Sequence, residues 1–96
     1  MDMSIHQSKL NSDKSKRQLW NVTITNNCYC SQMNVRIDAD GFRTTTRLDP
    51  AIIMISKGQG LVNGGQPIYP YTSLGFTYAC RVPSHLKLIS SQVVCS

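Results

Sequence analysis

Leu19-Trp20-Asn21-Val22-Thr23-Ile24-Thr25 alternates large apolar side chains with small polar ones. A period of two is the mark of a β-strand with one face buried and the other wet, and Trp20, Val22 and Ile24 form its inward set. Asn26-Asn27 breaks the run. The alternation then returns, with Met33, Val35, Ile37 and Ala39 set against Asn34, Arg36, Asp38 and Asp40, and Asp40-Gly41 marks a turn.

Downstream, the Thr-rich segment Phe42–Leu48 is predicted as a third strand in a hairpin with the second. Phe42, Thr44, Thr46 and Leu48 fall on one side and Arg43, Thr45 and Arg47 on the other. Asp49-Pro50 ends it. Ala51–Ile55 is a short apolar run that suits a strand buried on both faces, a crossing between sheets or a helical turn. Leu61-Val62 and Pro67–Tyr71 read as short edge strands around Asn63-Gly64-Gly65, because Pro67 and Pro70 cannot donate to a central ladder. Leu74, Phe76 and Tyr78 alternate again, and Leu86–Val94 supplies one or two last strands. Short strands separated by turn signals, with no amphipathic helix, predict an all-β fold: a small antiparallel two-sheet β-sandwich. Residues 1–17 are polar and lack hydrophobic periodicity, so they read as a disordered basic tail before a single domain over 18–96.

The chain has 96 residues, a formal charge of +5 and charged residues at 16%. A chain this short buries a modest share of its surface and is marginally stable without disulfides or a partner. Its cationic residues are spaced singly along alternating segments and form no dense face with base-stacking aromatics, which argues against nucleic acid as a partner. An acidic protein surface or wall polysaccharide fits the charge better. The longest apolar run, Ala51–Ile55, is far short of the roughly 20 residues of a membrane span. The opening residues contain no apolar h-region, so either the native start, with a secretory leader, lies upstream of Met1, which is the favoured expectation, or the chain stays inside the cell.

Cys28, Cys30, Cys80 and Cys95 are the four cysteines, an even count that suits a disulfide framework. Cys28 and Cys30 are too close to bridge each other comfortably, so each is expected to reach Cys80 or Cys95, in either of two pairings. Zinc is the rival reading, but the C-x-C lacks a second paired motif, and His6 and His85 stand apart from it. Buried free thiols are the third. Catalysis finds little to work with: the chain has no Glu, and Asp38 and Asp40 suit a solvated strand face and a turn. No metal or cofactor is implied.

Asn21-Val22-Thr23 is an N-glycosylation acceptor, on the face opposite Trp20. Trp20 itself reads as core, through its alternation with Val22 and Ile24. Tyr69 and Tyr71 flank Pro70 and are candidates for a binding surface, set against ordinary loop packing. Arg43 and Arg47 share a face and are candidates to meet acidic groups, set against a merely solvated stripe.

The order of WNVTITNNC at 20–28, Gly41-Phe42, Leu48-Asp49-Pro50, Leu61-Val62-Asn63, Gly65-Gln66-Pro67, Phe76-Thr77-Tyr78-Ala79 and the closing SSQVVCS at 90–96 resembles the plant TAPETUM DETERMINANT family of small cysteine-rich proteins. The resemblance implies a secreted, apoplastic signalling ligand for the ectodomain of a leucine-rich-repeat receptor kinase, acting in anther and ovule cell fate. It places family cysteines at Cys28, Cys30 and Cys95. It also marks two departures, Asp40 and Gly60, where the family usually has cysteines. A fainter likeness to a plant cellulose-binding module, in Trp-x-Val-x-Ile-x-Asn-Asn and Leu-x-Phe-x-Tyr, implies a wall-polysaccharide binder as the alternative. An inactive truncated paralogue is the third option.

Overall fold

Strands follow one another in the computed structural model, which describes residues 2–10 and 17–95. They are β1 (Met3–Lys9), β2 (Leu19–Asn26), β3 (Ser31–Asp38), β4 (Ile53–Ser56), β5 (Gln59–Val62), β6 (Ser73–Ala79) and β7 (Lys87–Val94), with a 3-10 turn at Asn63–Gly65. One sheet has the order β1-β2-β6 and the other β4-β5-β3-β7, all antiparallel. The all-β, two-sheet expectation holds.

Val22, Ile24, Phe76 and Tyr78 of the first sheet meet Val35, Ile37, Ile53 and Val62 of the second in one buried cluster. Trp20 packs on its edge, as its alternation predicts, and donates its indole N–H to the Cys80 carbonyl at 3.0 Å. β4 and β5 are joined by Lys57-Gly58, both at positive φ (52° and 78°), which suits the tight two-residue turn of a twisted hairpin.

Three sequence expectations need correction. The tail expected to be disordered over 1–17 contains β1, paired with β2 along its length from Met3↔Asn26 to Lys9↔Trp20. Residues 11–16 lie outside the described residues. The alternation in 3–9 is real but small: Met3 and Ile5 are its only large apolar members, and Gln7 occupies an inward position. There its Oε1 accepts from the buried Tyr78 hydroxyl at 2.6 Å, while its Nε2 donates to the Ser84 carbonyl at 2.7 Å.

Phe42–Leu48 is not a strand. Both edges of β3 are taken, by β5 and β7, so no hairpin can form across Asp40-Gly41. The turn itself exists, with the Asp38 carboxylate accepting the Asp40 N–H at 3.0 Å. The segment stays extended, and its burial alternates as predicted. Its backbone groups are met piecemeal instead: the Thr44 hydroxyl accepts the Thr46 N–H at 3.1 Å, the Thr45 N–H donates to the Ala79 carbonyl at 3.2 Å, and the Ala79 N–H donates to the Thr44 hydroxyl at 3.0 Å. Lastly, Pro67–Tyr71 forms a single bridge, Gln32↔Ile68, rather than an edge strand, because the flanking prolines offer no donors.

Candidate functional site

The exposed side chains with chemistry to offer gather at opposite ends of the sandwich, which is 47 Å in its longest dimension. β2 runs from one end to the other, and its eight residues span about 26 Å.

At the end reached by Asn26, the β2–β3 loop meets the connection into β6. Asn26 is fully buried and joins them. Its Nδ2 donates to the carbonyls of Cys30 and Ile68, each at 2.9 Å, and its Oδ1 accepts from the Cys28 N–H at 2.9 Å and from Gln32 Nε2 at 3.1 Å. Beside it Cys30 is bonded to Cys95, their Cα atoms 4.8 Å apart, which pins the end of β7 to the start of β3. This rigid base carries three outward rings: Tyr29 is 77% exposed, Tyr69 66% and Tyr71 70%. Tyr29 and Pro70 line one shallow groove along with Cys95.

Tyr71 has φ 58°, in the left-handed region that a bulky side chain rarely occupies. It follows Pro70 in a turn closed by Thr72 N–H to the Tyr69 carbonyl at 3.2 Å, the position at which such a turn favours glycine. The Thr72 hydroxyl reinforces the closure by donating to the same carbonyl at 2.7 Å.

At the opposite end, an open groove of about 810 Å³ runs along the 42–48 segment and the end of β6. Half-buried Phe42, Leu48 and Ile55 give it an apolar lining, and exposed Arg43 and Arg81 flank it. Among the described residues its lining contains no carboxylate. Neither arginine has a hydrogen-bond or ion-pair partner among the described residues. A second hollow continues from Thr45 and Cys80 to Arg17 and Gln18.

The four residues proposed as a binding surface therefore divide. Tyr69 and Tyr71 sit at one end, while Arg43 and Arg47 lie on the segment that packs against Ala79 at the other. Arg43 and Arg47 are both exposed, with Thr45 exposed between them. Tyr29 and Arg81 escaped the sequence reading. Tyr29 could have been found, since alternation between Cys28 and Cys30 turns it outward. Arg81 follows the end of a strand and carries no such signal.

Of the cysteines, Cys28 and Cys80 are free. They flank opposite ends of β2, because Ala79 pairs with Leu19 while Cys28 lies just beyond Asn26. That separation far exceeds the 7 Å that a disulfide tolerates. The Cys28 sulfur instead accepts the Cys30 N–H at 3.3 Å. Asn21 is half-buried on the outer face of the central strand, between Ser8 and Thr77, with its Nδ2 3.4 Å from the Thr23 hydroxyl. Among the described residues no three His, Cys, Asp or Glu side chains cluster as metal ligands, and no helix is long and apolar enough to cross a membrane.

A family model described as Tapetum determinant 1, C-terminal, matches residues 1–96. The chain belongs to the Tapetum determinant 1 family. No curated protein and no solved structure is similar enough to count as a match. Within the Tapetum determinant 1 match lie β1 and both ends of the sandwich. The two departures from the family's cysteine pattern also have a place in the fold. Asp40 packs beside Gly58, whereas Gly60 faces inward opposite Ile37. A Cβ at Gly60 would come within 2.9 Å of Ile37 Cγ1 and Ile53 Cδ1, so this core is built around a glycine there.

Proposed function

We propose that this chain is a non-enzymatic signalling ligand, secreted to the apoplast, that docks on the ectodomain of a leucine-rich-repeat receptor kinase in anther and ovule cell-fate specification. Membership of the Tapetum determinant 1 family supports a signalling role. The observation that carries the docking is the groove lined by Phe42, Leu48 and Ile55 and flanked by Arg43 and Arg81, which have no partner among the described residues. Arginine beside apolar surface is the composition of protein-recognition hot spots, and its planar fork matches carboxylates on a partner. With two arginines and no acid among its described lining residues, the groove favours an acidic, partly apolar surface over a basic one.

The test is equilibrium binding of the oxidised chain to the receptor ectodomain. The wild type should bind saturably, more weakly as salt rises. Arg43→Glu combined with Arg81→Glu should weaken binding by about tenfold or more, because charge reversal opposes the field that steers the encounter. Unchanged affinity in that double variant would rule out the groove as the docking surface. Absence of binding by the wild type would remove the ligand reading itself.

A further inference from the structure

The tyrosine-bearing end has chemistry of its own, independent of the groove. Residues 18–35, 58–80 and 88–96, which build almost all of it, contain no Asp, Glu, Lys or Arg. Asp2 is the acidic residue that reaches this end, where its carbonyl accepts the Asn27 N–H at 2.7 Å. The aromatic contacts among the described residues are Phe42–Tyr78 and Phe76–Tyr78, so the rings of Tyr29, Tyr69 and Tyr71 are not stacked on another aromatic. Their hydroxyls have no partner among the described residues. Nearby in the chain are Asn27, Ser31 and Thr72, neutral donors and acceptors, of which Asn27 Nδ2 donates to Ser4 Oγ at 3.1 Å and the Thr72 hydroxyl to the Tyr69 carbonyl.

We infer that this end is a stacking site for a neutral polysaccharide of the β-glucan type. A pyranose ring with equatorial hydroxyls has two apolar C–H faces and a polar rim. An exposed tyrosine matches it with an apolar face and a polar edge. Neutral hydroxyl and amide side chains nearby suit the sugar's rim, and the absence of Lys and Arg from residues 18–35, 58–80 and 88–96 gives little purchase to uronate or sulfate groups. Asp2 disfavours acidic glycans further.

The backbone supports the assignment. Tyr71 is held at positive φ by Pro70, by the Thr72 hydroxyl and, through the Ile68 carbonyl, by Asn26. Strain at an exposed aromatic persists when its surroundings over-determine it, and such strain concentrates at binding sites. Stacking also gains from rings fixed before the ligand arrives, since less side-chain and loop freedom is lost on binding.

The experiment is retardation of the oxidised 96-residue chain in native gels containing a soluble neutral β-glucan, with titration of cellohexaose by calorimetry. Retardation should be unchanged between low salt and about 0.5 M salt, because no charges are involved. Tyr69→Ala and Tyr71→Gly should each weaken binding by about tenfold. Glycine suits the left-handed backbone at 71, so that variant removes the ring without disturbing the turn, and a matching melting temperature verifies the fold. Arg43→Glu with Arg81→Glu should bind glucan as the wild type does. Any one of three results overturns the inference: no retardation by any neutral glucan, retardation abolished by salt, or wild-type affinity in both tyrosine variants. Loss of receptor-ectodomain binding in the tyrosine variants without any glucan binding also overturns it, and would make this end a protein interface.

Discussion

Asn26 carries more of the tyrosine-bearing end than any residue displayed there. It is a polar side chain with no solvent exposure, yet its amide satisfies groups on both sides of the sandwich. Asn26→Ala would strand the Cys28 N–H, the Gln32 amide and the Cys30 carbonyl without those partners in a dry interior. Each unsatisfied buried group costs roughly 1–3 kcal/mol. With partial relaxation, the expected loss is about 2–4 kcal/mol, read as a lower urea midpoint at unchanged slope. Asn26→Asp should fare no better, since a carboxylate accepts but cannot donate to the Cys30 and Ile68 carbonyls. A loss below about 1 kcal/mol in the alanine variant would mean that other contacts fix the two loops. In the sequence, Asn26-Asn27 reads as the break after a strand, which is true of the backbone. The side chain's partner at Ile68 lies too far along the chain for any local pattern to reveal it.

At the scale of elements, alternation of several large apolar residues with polar ones made β2, β3 and β6 legible in the sequence, while β4, β5 and β7 showed as short apolar stretches between turn signals. β1 was not legible, because its inward set of Met3, Ile5 and Gln7 includes a polar residue whose partners, the Tyr78 hydroxyl and the Ser84 carbonyl, lie far away in sequence. Phe42–Leu48 misled in the opposite direction. Its alternation is genuine, but a strand also needs a free edge to pair with, and β3 has none. Of the candidate site, Tyr69, Tyr71, Arg43 and Arg47 were legible as exposed. Their separation to opposite ends depends on strand order, which alternation does not encode.

The place of β1 makes a prediction. A chain beginning at Gln18 would lose the packing of Met3 and Ile5 and leave the fully buried Tyr78 without its Gln7 acceptor. Burial of those two side chains alone is worth about 3 kcal/mol, a large share of a small domain's stability. The truncated chain should therefore melt well below the full chain by far-ultraviolet circular dichroism. Equal melting temperatures would show that β1 is dispensable decoration.

On the scale of the whole molecule, the Cys30–Cys95 bond determines how far the fold can survive reduction. It closes a loop with a sequence separation of 65, so nearly the whole described body from β3 onward is tethered in the unfolded chain. By the chain-entropy relation, a loop of that size is worth about 4 kcal/mol. That compares with roughly 5–15 kcal/mol for the total stability of an ordinary domain. In the native state the bond also fastens an exposed element: β7 is an edge strand, and only Leu88 and Ser91 along it are even half-buried. Reduction should thus lower the stability measured by urea by about 4 kcal/mol. The amide protons of Gln92–Val94 should lose protection from exchange first, before those of β2. Cys30→Ser with Cys95→Ser should show the lower stability with or without reductant, whereas Cys28→Ser with Cys80→Ser should keep the full redox difference. If the second pair abolished that difference instead, the bond would be drawn between the wrong cysteines. If the wild type itself showed no difference on reduction, the sandwich would stand on its packing alone, and its folding would not depend on an oxidising compartment.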